Sequence, residues 1–199
     1  MTEHVFVETA GTPGAPLIMT FHGTGGSETD LHGFAAGLLP GAHVVSPRGN
    51  VSENGMARFF RRDAVGVYDM ADLARRSDVL ADFVGAARDR VGATRVIGMG
   101  YSNGANIIAN VSFTRPGLFT DLILMHSQIP WEPDPQPGLA AARVLITAGE
   151  RDPVCPPEET RRLIAWYADQ GAEVQDHWHP GGHEMARSEV GAIQQFLAG

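Results

Sequence analysis

The stretch IGMGYSNGANIIAN, residues 97–110, sets Ser102 between Gly100 and Gly104, behind an apolar run and ahead of a helix-like one. A serine hydroxyl attacks poorly at neutral pH unless a base takes its proton, and it must stand clear of its own backbone. A sharp strand-to-helix turn gives that exposure. It also crowds the positions two before and two after the serine, so glycine is wanted at both. The helix that follows would aim free N–H groups and its positive dipole end at charge developing on a substrate oxygen. A glycine-rich turn with a surface serine is the plainer reading of the same residues, and the rest of the chain must decide between them.

Outward from this turn, strand-like and helix-like segments alternate. PLIMTFHG (16–23), AHVVSP (42–47), RVIGMG (95–100), DLILMHS (121–127), RVLITAG (143–149) and EVQDHWH (173–179) are short runs, most of them apolar and rich in β-branched residues. Such runs fit parallel strands covered on both faces by helices. In residues 68–92, Leu73, Leu80, Val84, Ala87 and Val91 recur at helical spacing, with Arg and Asp opposite. Residues 27–39 open with Ser27 and Thr29 as candidate N-caps, and Asp30 follows Ser27 by three as in a capping box. Helices are also expected over 156–171, which starts with Pro and Glu and ends at Gly171, and over 184–199. The expected fold is α/β, one doubly wound and mostly parallel sheet flanked by helices, with chemistry at the carboxyl ends of the strands. Residues 47–66 and 127–142 resist assignment and read as walls of a site.

In a sheet of this kind the order nucleophile, acid, histidine supplies a complete triad. After Ser102, the strand at 143–149 runs into GERDPVCP, which offers Asp152, with Glu150 as a substitute. The last strand runs into PGGHEM, which offers His183 on a glycine-rich loop. His183 would accept the proton of Ser102, and Asp152 would fix the imidazole's tautomer and stabilise its cation. His177 and His179 lie inside a strand and read as packed or solvated. His22 and His126 end strands and could line the site, though neither follows an acid in the required order. Cys155 lacks an elbow and reads as a small apolar residue or a thiol at the pocket edge. HGTGG (22–26) has the small residues that let amides approach a ligand, and the N–H groups of Thr24 and Asn103 are the candidate oxyanion hole.

The 199 residues point to one domain over 1–199 with no separate cap. A net charge of -8 gives no support to nucleic-acid binding. All 15 basic residues are Arg, which excludes lysine-based catalysis. A single cysteine excludes an internal disulfide framework and suits a reducing compartment. The start MTEHVFVETAG has neither a basic nor an apolar leader pattern, and no run nears membrane-spanning length. A cytoplasmic protein without stable membrane association is therefore expected. The chemistry calls for no cofactor and no metal, and a homodimer is compatible with the sequence. Met56, Phe59, Phe60, Tyr101, Ile129 and Trp131 are the candidate apolar lining for a small ester, with Phe59 and Phe60 as a core plug in the alternative. Arg48, Arg58, Arg61 and Arg62 suggest a carboxylate site, although Arg61 and Arg62 are expected to pair with acids such as Asp63 or Asp69.

Taken in order, HGTGG, GYSNGAN, GERDPVCP and GGHE resemble the phospholipase/carboxylesterase family of small α/β-hydrolases, from about residue 16 to the end. Segments RGN (48–50), ENG (53–55) and FFRR (59–62) are similar to those of a bacterial carboxylesterase subset, some of whose members are associated with hydroquinone and other aromatic-compound pathways. The resemblance implies Ser102, Asp152 and His183 as the triad of a serine carboxylic-ester hydrolase with an acyl-enzyme intermediate. Acyl-protein thioesterases of the broader family usually carry Gln after the nucleophile and Leu in the oxyanion loop, where this chain has Asn103 and Thr24. A thioesterase or lysophospholipase is the alternative on the same machinery, and a ligand-binding protein without turnover is the alternative from another class.

Overall fold

The computed structural model describes residues 4–199. Strands β1 (Phe6–Thr9), β2 (Leu17–Phe21) and β3 (His43–Pro47) flank helix α1 (His32–Leu38). Two small hairpins follow, β4 (Val51–Glu53) with β5 (Met56–Arg58), and β6 (Arg62–Ala64) with β7 (Val67–Tyr68). The remainder alternates: α2 (Met70–Val91), β8 (Val96–Tyr101), α3 (Asn103–Thr114), β9 (Asp121–Met125), β10 (Arg143–Gly149), α4 (Pro157–Asp169), β11 (Glu173–His179) and α5 (Arg187–Ala198). A seven-stranded sheet runs β1-β3-β2-β8-β9-β10-β11, parallel except for the antiparallel edge strand β1. With helices on both faces it is an α/β-hydrolase fold, and the described residues form no separate cap domain.

Alternation along the strands explains the two layers. Leu17, Met19, Val45 and Leu122 join the cluster that includes Leu73, Leu80 and Val84 of α2 and Leu163 and Tyr167 of α4. Their neighbours Ile18, Val44 and Ile123 join the other cluster, with Ala35 of α1 and Ile193, Phe196 and Leu197 of α5. A strand buried on both faces must be apolar at nearly every position, which is why these runs read continuously rather than in alternation. Helix α2 starts where the Asp69 carboxylate accepts from the Asp72 amide at 2.9 Å, and it stops at Gly92 in the left-handed region. The capping box expected at residues 27–30 is absent. Leu31 is the N-cap of α1 and makes no side-chain cap bond, while Ser27 Oγ donates to Asp30 Oδ1 at 2.7 Å inside a turn before the helix. Residues 127–142 contain only one 3-10 turn, Pro137–Leu139. No described helix is long and apolar enough to cross a membrane.

Candidate active site

Ser102 joins β8 to α3 with φ 51° and ψ -115°, a conformation that side-chain-bearing residues rarely adopt. Its amide donates to Met125 O at 2.8 Å, tying the turn to the end of β9. A Cβ at Gly104 would lie 2.1 Å from Phe21 O, and one at Gly100 would lie 2.6 Å from the Ala105 backbone. Both glycines are therefore demanded by close approach of backbone, which lets the serine hydroxyl stand out.

The loops after β10 and β11 are bonded to one another. Glu150 N–H donates to His179 O at 2.8 Å, and Arg151 N–H donates to Gly181 O at 2.9 Å. A Cβ at Gly149 would sit 2.0 Å from Gly182 O, so only glycine allows this contact. The contact brings Asp152 and His183 together. His183 Nε2 lies 2.9 Å from Ser102 Oγ, and His183 Nδ1 lies 2.7 Å from Asp152 Oδ2. The Tyr101 hydroxyl donates to His183 O, and its ring lies against the imidazole at 5.4 Å between centroids. Burial and the nearby Asp152 charge push the Tyr101 phenol up to about 12, so it stays a neutral donor. Asp152 Oδ1 accepts from the amides of Val154 and Cys155 at 2.8 and 2.9 Å. Burial works against the Asp152 charge. The Cys155 amide, the imidazoles of His126 and His183 and the Val154 amide outweigh it, holding the carboxyl below its usual range.

Thr24 lies beside this group. Gly25 N–H donates to Ala57 O at 2.9 Å, and Arg58 Nη1 donates to Thr24 Oγ1 at 2.5 Å, so hairpin β4–β5 holds the loop. The amides of Thr24 and Asn103 meet no acceptor among the described residues. The Asn103 side chain points its Oδ1 at Phe59 N–H, 2.7 Å away.

A small depression adjoins Ser102, lined in part by Thr24, Arg58, Arg62, Tyr68, Gln128 and Cys155. None of Met56, Phe59, Phe60, Tyr101, Ile129, Trp131 and Arg48 lines it. Phe59 and Phe60 are 2% and 0% exposed and belong to the core, where Phe59 packs on Phe21 and His22, and Phe60 packs on Tyr68. Ile129 and Trp131 line a separate depression with Trp166 and Arg162. Met56 is exposed beside Gly25. Arg48 forms an ion pair with Glu28 and does not line the pocket. Tyr101 stands at the site, but against His183. Arg62 pairs with Glu53 at 2.9 Å, not with Asp63 or Asp69, and Arg61 offers its amide to the Asp72 carboxylate. Arg58 also reaches Glu53, at 3.1 Å, so the two guanidinium groups that line the pocket share one carboxylate. Glu150, the substitute acid, is exposed and takes part through its amide. Burial and the Asp152 charge push the Cys155 thiol well up, away from the nucleophilic thiolate. His22 is locked locally, accepting from Gly49 N–H at Nε2, 3.0 Å away.

The sequence reading missed the contact between His126 and Asp152. His126 is fully buried, and its Nδ1 lies 2.9 Å from Asp152 Oδ2, the same oxygen that faces His183. The available signal was its position at the end of a central strand, one strand over from Ser102. Chain order alone set it aside.

An open-sheet hydrolase with a histidine, a serine and an acid at its strand ends defines the class of protein. Within it, the chain belongs to the family of the putative hydrolase MhqD of Bacillus subtilis, with 39% identity over 182 residues that cover 90% of this chain and 91% of that one. No protein-family model matches the chain. Among solved structures it is similar to the protein Atu2452 of unknown function from Agrobacterium tumefaciens, 51% identical with a TM-score of 0.95 over 98% of this chain and 96% of that one. The Bacillus cereus carboxylesterase is 33% identical with a TM-score of 0.93, over 99% and 94% of the two chains. YahD, in its structure with malic acid, is 26% identical with a TM-score of 0.89 over 98% of both. These relatives support an esterase-type hydrolase.

Proposed function

We propose that the protein is a serine carboxylic-ester hydrolase that acts on small or short-acyl esters through an acyl-enzyme. The observation that carries this reading is the unbroken line from Ser102 Oγ through His183 to Asp152, with spacings of 2.9 and 2.7 Å. Ser102 attacks the ester carbonyl while His183 Nε2 takes its proton, and Asp152 holds Nδ1 and balances the imidazolium. The oxyanion receives the amides of Thr24 and Asn103, which have no other acceptor. His183 then protonates the departing alcohol, and water attacking the acyl-serine by the same route releases the acid. The small pocket favours a compact acyl group. Its two guanidiniums facing one Glu53 carboxylate leave a positive wall, which suits an ester that also bears a free carboxylate. The malic acid in the YahD structure agrees with that chemistry.

A fluorophosphonate probe should label Ser102, and p-nitrophenyl acetate and butyrate should be hydrolysed. Ser102→Ala should abolish labelling and lower kcat by several orders of magnitude. Folded protein that neither takes the probe nor cleaves these esters would refute the proposal. Faster turnover of acyl-thioesters or lysolipids than of short esters would favour the alternative activity.

A further inference from the structure

Beside Asp152 lies a second group of titratable side chains, joined to it through His126. His126, His179 and Glu189 are each at most 4% exposed, and none has a part in the reaction described above. His126 Nε2 is 3.4 Å from Glu189 Oε1 and 3.5 Å from His179 Nε2. His179 Nε2 is 3.7 Å from Glu189 Oε2. Thr147 Oγ1 donates to Glu189 Oε1 at 2.5 Å, and Ala186 N–H donates to Oε2. The Tyr101 and His183 rings face His126 at 5.6 and 5.3 Å, and Cys155 Sγ donates to His126 O.

Three observations set the hydrogen positions and show that the arrangement is imposed. Gly181 N–H donates to His179 Nδ1 at 3.1 Å, so the His179 proton resides on Nε2 and points at His126 and Glu189. Asp152 carries no proton to offer at neutral pH, since its carboxyl is held below the usual range, so the bond between it and His126 is donated by His126 Nδ1–H. That donor persists whether or not Nε2 is also protonated. Finally, His126 sits at φ 52°, in the left-handed region that favours glycine, with its amide pinned to Thr147 O at 2.8 Å. The surrounding structure holds a histidine in a strained backbone at this one point.

We propose that His126 is a positioning residue for hydrolysis, its Nδ1–H donating to Asp152 Oδ2 and fixing the rotation of the carboxylate so that the same oxygen stays aimed at His183. The inference rests on the reading of Ser102, His183 and Asp152 as the triad. With His126 in place, Asp152 has two donors on each oxygen: Val154 and Cys155 amides on Oδ1, His126 and His183 on Oδ2. Without it, Oδ2 keeps a single partner in a fully buried site, and the carboxylate can turn about its last bond. Glu189 lies behind His126, its Oε1 3.4 Å from Nε2, and lends the negative charge that stabilises an imidazolium there.

Two polar variants separate this role from simple filling of space. Asn places its amide nitrogen where Nδ1 stands, whereas Gln places it near Nε2, towards Glu189. His126→Asn should retain kcat for p-nitrophenyl butyrate within about threefold. His126→Gln should lose tenfold or more in kcat while KM changes less than twofold, with both variants checked for folding by thermal melting. Equal losses, equal retention or the reverse order would overturn the proposal. Nitrogen-resolved NMR of the unaltered protein gives a readout that needs neither turnover nor a variant. The His126 Nδ1 must carry its proton from pH 6 to 9, and finding it unprotonated ends the case. A protein that passes the NMR test yet hydrolyses no ester would refute the esterase reading instead.

Discussion

At Ser102 the backbone and the chemistry oppose each other. Its φ of 51° with ψ -115° costs of order 1–3 kcal/mol for a residue with a Cβ, and Gly100 and Gly104 exist to let the turn close at all. Removing the side chain should therefore stabilise the fold while ending the chemistry. Ser102→Gly is expected to unfold at a higher temperature than Ser102→Ala, by about 1 kcal/mol of stability, with both inactive, as thermal melts would report. Equal stability would mean that the turn stores no strain. At this scale the sequence was informative because glycine spacing is a steric requirement and survives in the letters. The partner of Asp152 was not legible. His126 is distinguished by φ 52° and by a contact with a residue 26 positions away, and neither leaves a local mark in LMHSQ.

Among the elements, the central strands were legible to within a residue or two because burial on both faces forces an unbroken apolar run. Residues 47–66 were not, since hairpins of two or three residues per strand show no period long enough to read. Those hairpins divide the labour of their sequence. Phe59 and Phe60 go into the core, while Arg58 and Arg62, on either side, carry the pocket wall. Phe60→Ala should thus cost about 3–5 kcal/mol in denaturant unfolding, as for other buried aromatics. Arg62→Gln should act on recognition. It leaves Arg58 paired one-to-one with Glu53, and so it removes the positive excess of the wall. The KM for monomethyl succinate should rise several-fold relative to that for methyl butyrate, which lacks the second carboxylate. A parallel change in both would show that the wall does not read charge.

Across the whole molecule, the site exists because sheet order gathers what the chain separates: Ser102 after β8, His126 after β9, Asp152 after β10 and His183 after β11 lie on four successive strands. Helix α5 closes the group from below, presenting Glu189 from its first turn. Edge strand β1, absent from the sequence reading because its apolar and polar residues lack a clear run, merely extends the far side of the sheet. This convergence ties global stability to pH in a definite sense. Burial opposes the His126 charge, but its interactions with the Glu189 and Asp152 carboxylates outweigh it and raise the imidazole above its ordinary value. Burial likewise opposes the Glu189 charge, and His126, Thr147 and the Ala186 amide outweigh it, depressing that carboxyl. A raised histidine contributes stability that is fully present below its unfolded value of about 6.5 and fades as pH climbs through the folded one. A depressed carboxyl contributes above its unfolded value and fails as pH falls through the folded one. The group is therefore most stabilising in mildly acidic solution, above the carboxylate range and below the His126 transition. The stability difference between the protein and His126→Asn, measured by urea unfolding at steps of pH, should be widest near pH 6 and should shrink towards pH 9. A difference that is flat across this range, or that widens upward, would mean that His126 is neutral in the native protein and serves Asp152 as a donor alone.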